Sequence, residues 1–235
     1  MAAAPERPPI HLRPTAELAE RVLLPGDPGR ALAVAQDVLE EPRMFNHNRG
    51  LWGYTGTAAD GAALTVQSTG MGGPSAAIVV EELIDLGARR LIRIGTCGAL
   101  GGARALGELV VAREVVAADG TSRALGAAER VAPDSDLTAA LAAEAEAPLV
   151  TVVSTDLFYD GRGEPAREWR AAGAEAVEME AATVLQVALN RGVPAAVLLA
   201  VSDLLEESGE RRRLGQEALA AVGLVLGRAG AGAFG

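Results

Sequence analysis

Hydrophobic and polar positions in this chain fall into short blocks that switch between strand-like and helix-like spacing. The apolar run at residues 21–24 ends in Pro25-Gly26-Asp27-Pro28 and predicts a strand followed by a turn, with a helix over 29–39. Residues 64–69 are β-rich and stop at Gly70-Met71-Gly72-Gly73-Pro74. Ile78, Val79, Leu83 and Leu86 then recur at helical spacing over 75–86, and Gly87 supplies the stop. Strands are predicted at 90–94, running into Gly95-Thr96-Cys97-Gly98, and at 108–117 and 149–154. A short strand over 174–178 leads into a helix over 180–191. The run at 195–202, almost free of polar residues, predicts a fully buried strand ending at Ser202-Asp203. A last helix is expected over 209–229, with frayed ends at 1–9 and 230–235.

Strands that alternate with helices, and are apolar on both faces, specify a three-layer α/β/α sandwich around a mixed central β-sheet. With no linker, repeat or low-complexity stretch in the body, residues 1–235 read as a single domain. Hydrophobic residues make up 49% of the chain and aromatic ones 3%, so the core is built from small aliphatic side chains. A net charge of −10 argues against a nucleic-acid or anionic-membrane surface. No apolar run approaches the length of a membrane span, and the N-terminus lacks the apolar stretch of a signal peptide. The lone cysteine, Cys97, leaves no internal disulfide or cysteine metal cluster; it reads as a small buried residue in a cytoplasmic protein.

The candidate chemistry collects where strands end. Four of those ends are glycine-rich or polar: Gly26-Asp27-Pro28, Gly70-Met71-Gly72-Gly73, Gly95-Thr96-Cys97-Gly98 and Ser202-Asp203. Ligands in α/β sheets sit outside the carboxyl ends of strands, where glycine amides and helix N-termini receive oxyanions. Each turn alone also reads as punctuation or tight packing. Arginines sharpen the pattern: Arg30 after the first loop, Arg49 in Asn48-Arg49-Gly50, and Arg93 inside an apolar strand. A guanidinium in a sheet interior needs an anion, either a bound phosphate or a structural carboxylate such as Glu81, Glu82 or Glu178. Glu178-Met179-Glu180 places two carboxylates where a strand meets a helix. Glu180 is either a helix N-terminal charge or an acceptor for sugar hydroxyls, and Glu178 binds a ribose hydroxyl or pairs with an arginine. Asp203 is either a helix N-cap or a desolvated general acid. His47 reads as a loop histidine.

Taken in order from about His11 to Asp203, these segments resemble the nucleoside phosphorylase family, in the branch of the hexameric bacterial purine nucleoside phosphorylases and the uridine phosphorylases. The resemblance rests on Leu24-Pro25-Gly26-Asp27-Pro28-x-Arg30, Asn48-Arg49-Gly50, Thr69-Gly70-Met71-Gly72-Gly73-Pro74-Ser75, Gly95-Thr96-Cys97-Gly98-Ala99, Glu178-Met179-Glu180-Ala181 and Ser202-Asp203. It implies phosphate held by Gly26, Arg30, Arg93 and Thr96, with Arg49 reaching in from a neighbouring subunit. It implies a ribose held by Met179 and Glu180 with the neighbour's His11 near the 5′-hydroxyl, the base flanked by Phe158, and N7 of a purine protonated by Asp203. One arginine among Arg211, Arg212 and Arg213 would assist that acid. The implied activity is cytoplasmic purine nucleoside salvage: a transferase cleaves the N-glycosidic bond with inorganic phosphate as co-substrate and no cofactor or metal. The implied assembly is a homohexamer of dimers that share active sites, with neither nucleic acid nor membrane as partner.

Two features divide the purine and uridine branches. The Gln-x-Arg pair that reads uracil is replaced here by Arg162 and Glu164, and Asp203 matches the purine acid; both favour purines. Gly72-Gly73-Pro74-Ser75 and Val80-Glu81-Glu82-Leu83 lean toward a uridine phosphorylase, which stands as the alternative. A nucleosidase that uses water would lack the phosphate arginines, and a catalytically silent nucleoside-binding module would not need Asp203.

Overall fold

The computed structural model describes residues 8–102, 104–160, 164–205 and 211–235, with only the backbone of Glu164. Strand β1 (Arg21–Pro25) is buried over its last four residues. Asp27 then ends the turn by capping α1 (Pro28–Val38): its carboxylate accepts the Arg30 amide at 2.7 Å, and Pro28 fills a first-turn position that needs no N–H. An antiparallel meander follows in β2 (Glu40–Asn46), β3 (Gly53–Thr57) and β4 (Ala63–Gln67), with a 3-10 turn at Asn48–Gly50. Helix α2 (Gly73–Asp85) closes at Leu86, and Gly87 takes the left-handed φ of 118° that the sequence pattern assigns to it. The chain continues through β5 (Arg90–Leu100), β6 (Leu109–Ala117), α3 (Gly120–Ala124), β7 (Arg130–Val131), α4 (Ser135–Glu144) and β8 (Leu149–Ser154). It ends with α5 (Glu164–Ala171), β9 (Ala176–Glu178), α6 (Ala181–Asn190), β10 (Ala195–Leu205), β11 (Arg211–Arg213) and α7 (Gln216–Gly232).

All of these strands belong to one mixed sheet. β1 lies parallel to β4 and to β5, with Leu24 opposite Arg93. β10 runs parallel to β5 from Ala195 opposite Leu91 to Leu205 opposite Leu100. β10 then pairs with β6, β6 with β8, β8 with β9 and β9 back with β5, so this half of the sheet closes into a ring while the meander half stays open. Alternation along β5 and β10 divides the core. Leu91, Val197, Leu199 and Val201 face α2 and α6, whereas Ile92, Ile94, Leu198 and Ala200 face α1, α4 and α7. The expected three-layer α/β/α arrangement is thus present. α7 comes close to the sheet on glycines: a Cβ at Gly230 would stand 2.8 Å from Leu23 Cδ2 and 3.1 Å from Ile94 Cγ2.

Several boundaries differ from the sequence pattern. Gly95-Thr96-Cys97-Gly98 is not a turn, because β5 continues through it to Leu100 while β9 and β10 supply backbone partners. β10 likewise runs past Ser202-Asp203, which excludes Asp203 as an N-cap. Where the last helix was expected to begin, Arg211–Arg213 forms a strand antiparallel to β10, and the helix starts at Gln216. The 230–235 tail does not fray. It is helical to Gly232, Ala233 and Phe234 are each 3% exposed, and Arg90 and Arg21 sit over the Phe234 ring at 5.3 and 5.9 Å. β2, β3 and β11 and helices α3 and α4 carried too little apolar periodicity to be anticipated, and α5 is periodic but has few apolar residues; β2 is exposed over its first five residues.

Candidate active site

A cleft of about 430 Å³ opens at the carboxyl ends of β1, β5, β9 and β10. Gly26, Arg30 and Arg93 meet at one corner, Phe158, Asp203 and Arg211 gather at another part of the wall, and Thr96, Glu178, Met179 and Glu180 also line the cleft. Residues more than a hundred positions apart in sequence are therefore gathered as the strand-end pattern anticipated. His11, Arg49, Arg212 and Arg213 do not line it.

The Arg93 guanidinium is 3% exposed and sits on the α6 side of the sheet. Its Nε donates to Glu178 Oε2 at 2.9 Å, and its Nη2 pairs with Glu178 Oε2 at 2.8 Å and with Glu180 Oε2. The structural carboxylate partner is thus Glu178, joined by Glu180, and neither Glu81 nor Glu82: Glu81 binds Arg191, and Glu82 binds the His11 segment. Burial alone would lower the Arg93 pKa, but the two carboxylates outweigh it and hold it raised. Arg93 Nη1 has no hydrogen-bond partner among the described residues. It faces the Gly26 turn, where an added Cβ would lie 4.0 Å from it. An orphaned, buried, charged N–H group is costly and calls for an acceptor. Arg30 borders the same corner; burial lowers its pKa, Asp27 opposes this, and Arg93 adds to it.

Each Glu178 oxygen is engaged. Oε1 accepts from Ser154 Oγ at 2.5 Å, Oε2 from the Glu180 amide at 2.9 Å, and both from the Ala181 amide at 2.9 Å. Glu178, rather than Glu180, therefore satisfies the first amides of α6. Glu180 accepts the Gly72 amide at 2.6 Å through Oε1 and is bound to Arg93 through Oε2. Gly72 has φ of 88°, a backbone state that a side chain would strain. Desolvation raises the Glu180 pKa, against the pull of Arg93.

Asp203 follows an irregularity in β10. Val201 pairs with Cys97 and Asp203 with the next residue, Gly98, so Ser202 is bulged out and its hydroxyl donates to the Cys97 carbonyl at 3.2 Å. Such a bulge re-aims the next side chain. Gly98 makes room for it, since a Cβ there would lie 3.1 Å from Asp203 Oδ2. Asp203 is 6% exposed, and desolvation raises its pKa against the opposing charges of Arg211 and Arg213. β11 sets Arg213 opposite Asp203 and Arg212 opposite Leu204. By strand alternation Arg211 and Arg213 share the Asp203 side of the ribbon and Arg212 takes the other. Both also stand over the Phe158 ring, at 4.4 and 5.5 Å. The buried Cys97 thiol is pushed above its ordinary range by desolvation first and by the nearby carboxylates of Glu178 and Asp203, which fits a packing residue and not a nucleophile.

His11 and Arg49 share one surface outside the cleft. His11 Nδ1 lies 2.7 Å from Glu82 Oε1, and Asn48 Nδ2 donates to the His11 carbonyl at 2.8 Å. Arg49 has φ of 59°, uncommon for a side-chain-bearing residue and frequent at functional sites. Sequence reasoning missed Ser154, a fully buried hydroxyl at the end of β8, and Trp169 of α5, which joins Leu205 and Val177 in an apolar wall of the cleft. Only their residue types, a serine closing an apolar strand and one of two tryptophans, hinted at them. Of the two positions compared with the uracil-reading pair, Arg162 lies outside the described residues, as does the side chain of Glu164.

The chain is 37% identical over 202 residues to a purine nucleoside phosphorylase DeoD-type of Alkaliphilus metalliredigens, covering 83% of this chain and 86% of that protein. Against a purine nucleoside phosphorylase DeoD-type of Geobacillus kaustophilus the identity is 38% over 213 residues, with coverages of 85% and 89%. A guanosine phosphorylase of Halorubrum lacusprofundi is 36% identical over 198 residues, with coverages of 82% and 81%. Among solved structures, a uridine phosphorylase from Vibrio fischeri complexed with 6-hydroxy-1-naphthoic acid superposes with a TM-score of 0.83 over 92% of this chain and 91% of that one; at 24% identity this likeness bears on the fold. The match to the phosphorylase superfamily extends over residues 20–228, and the chain belongs to that family.

Proposed function

We propose that this protein is a purine nucleoside phosphorylase, which cleaves the N-glycosidic bond of a (deoxy)ribonucleoside with inorganic phosphate to give free base and (deoxy)ribose 1-phosphate. The observation that carries the reading is one cleft with two unlike ends: a buried guanidinium with an orphaned Nη1 beside Arg30, and a buried acid with a raised pKa at Asp203. The purine and guanosine phosphorylases among its relatives support the same choice of base.

Glycosidic cleavage builds positive charge on the sugar and negative charge on the departing base. Phosphate held by Arg93 Nη1, Arg30, Thr96 and the Gly26 turn stabilises the first and attacks C1′ as the C1′–N9 bond breaks. Asp203 in its protonated form, which desolvation favours, donates its proton to N7, and Arg211 and Arg213 lie close enough to stabilise the carboxylate left behind. Met179 and Glu180 flank the sugar, and Phe158 the base. Phosphate is a co-substrate, and the chemistry calls for no cofactor or metal.

His11 and Arg49 complete the site from a neighbouring subunit. Their shared surface, with the exposed side chain of Ile10 next to His11, supports a dimer that exchanges them, assembled further into a hexamer. A single buried cysteine supports a cytoplasmic setting, and no helix among the described residues is long and apolar enough to cross a membrane. The test is release of base from adenosine, inosine, guanosine and uridine, each with and without phosphate. The expected outcome is phosphate-dependent release from the purine nucleosides. Equal rates without phosphate overturn the phosphorylase reading, and faster turnover of uridine overturns the purine one.

A further inference from the structure

From the buried network behind the cleft we infer that Glu178 is a positioning residue for phosphate, that it does not bind ribose, and that Ser154 sets Glu178 in turn. The inference rests on the phosphate site proposed above. Glu178 is 5% exposed and borders the cleft, so it offers itself as a ligand for a sugar hydroxyl. Its acceptor capacity is already filled. Ser154 Oγ, the amides of Glu180 and Ala181, and the Nε–Nη2 edge of Arg93 all donate to it. Two carboxylate oxygens offer about four lone-pair sites, which these donors fill. A ribose hydroxyl donating to Glu178 would have to displace a buried amide or the guanidinium.

The consequence lies at the opposite edge of Arg93. A guanidinium is planar and rigid, so fixing Nε and Nη2 fixes Nη1 as well. Glu178 and Glu180 clamp the first edge, and Nη1 is left facing the Gly26 turn, the corner assigned to phosphate. Room for this pose is built into the strand. A Cβ at Gly95 would come within 2.9 Å of Arg93 Nη2, so the side chain folds back over its own strand only because that position is glycine.

Ser154 extends the chain by one link. Its hydroxyl is fully buried, accepts the Ala182 amide at 2.8 Å and donates to Glu178 Oε1. It thereby ties the end of β8 to the first turn of α6 and leaves Glu178 one orientation. Neither Ser154 nor Glu178 touches the reacting atoms; both act through Arg93.

The test is steady-state kinetics of Glu178→Gln and Ser154→Ala, with phosphate and inosine varied separately and thermal melting followed with and without phosphate. Glutamine keeps the shape of Glu178 but removes its charge and one of its two acceptor oxygens, so Arg93 and the first amides of α6 can no longer all be received and the hold on Arg93 weakens. The expected result is a rise of at least about tenfold in the phosphate KM for Glu178→Gln and about threefold for Ser154→Ala. The inosine KM should stay within about twofold, and phosphate should protect both variants less against melting than it protects the wild type. A raised inosine KM with an unchanged phosphate KM overturns the inference and makes Glu178 a ribose ligand. Equal changes in both constants reduce the network to packing and also overturn it. If Glu178→Gln does not fold, Ser154→Ala, which removes one hydroxyl, decides alone: an unchanged phosphate KM sinks the proposal. Wild-type enzyme whose turnover ignores phosphate refutes the underlying phosphate site instead, and the inference falls with it.

Discussion

Replacing Asp203 by asparagine isolates the acid end of the cleft. The side chains are nearly isosteric, and Asp203 is 6% exposed in a space defined by Gly98, Leu205 and the Ser202 bulge, so the substitution should leave the packing intact. What changes is the proton. Desolvation raises the Asp203 pKa, with Arg211 and Arg213 pulling the other way, so the protonated acid is favoured relative to an exposed carboxylate. General acid catalysis is worth about 100- to 10,000-fold, or about 2.7 to 5.4 kcal/mol of transition-state stabilisation. An amide cannot supply a proton, but it can still donate a hydrogen bond. A 6-oxo purine offers O6 to such a donor, and a 6-amino purine does not. Asp203→Asn should therefore cost adenosine turnover the full factor and inosine turnover about one order of magnitude less. The pH profile adds an independent reading. In the wild type, kcat for adenosine should fall as pH rises through the raised pKa of Asp203, because the acid must be protonated to act; in the variant that limb should vanish. Assays of both nucleosides across pH 5 to 9 at saturating phosphate measure all of this. Equal losses on the two substrates, with the high-pH limb intact, would refute Asp203 as the N7 acid.

Two further substitutions probe how the fold supports this chemistry. Gly98→Ala would set a methyl group 3.1 Å from Asp203 Oδ2 and into Leu205 Cδ1, displacing the acid by a fraction of an ångström; kcat should fall by up to about 100-fold while the phosphate KM holds, and an unchanged kcat would show that the acid has slack. Phe234→Ala should destabilise the protein by about 3 kcal/mol in denaturant unfolding, because the ring is 3% exposed beneath Arg21 and Arg90, and a loss below about 0.5 kcal/mol would mean that the tail is dispensable.

The sequence made the layers legible because the core strands are apolar on both faces and the helices between them carry clear 3.6-residue spacing, as in α2 with its glycine stop. It misled where a local signal was overridden by distant pairing. Gly95-Thr96-Cys97-Gly98 has turn composition, yet β9 and β10 supply backbone partners that draw it into a strand. Three arginines in a row suggest a solvated helix, yet pairing with Asp203, Leu204 and Leu205 makes Arg211–Arg213 a strand. The site residues were legible as types at strand ends, but their allegiances were not. Nothing local reveals that Glu178 caps α6 while holding Arg93, since both partners arrive through the tertiary fold. Nor does a lone buried serine announce that it orients that carboxylate.

On the proposed reading, the charge balance of the phosphate corner links the site to assembly. Arg30 and Arg93 bring two positive charges, and Glu178 and Glu180 bring two negative ones within hydrogen-bonding distance of Arg93. The corner formed by one chain thus has no surplus of positive charge with which to hold a phosphate dianion against its own hydration. On the proposed reading, the missing cation is Arg49 of a second copy, presented in a left-handed backbone state beside His11 on the shared surface. The carboxylates therefore do two things at once. They aim Arg93 and they offset its charge, and on that reading a lone subunit should bind phosphate weakly until an interface brings in the third arginine.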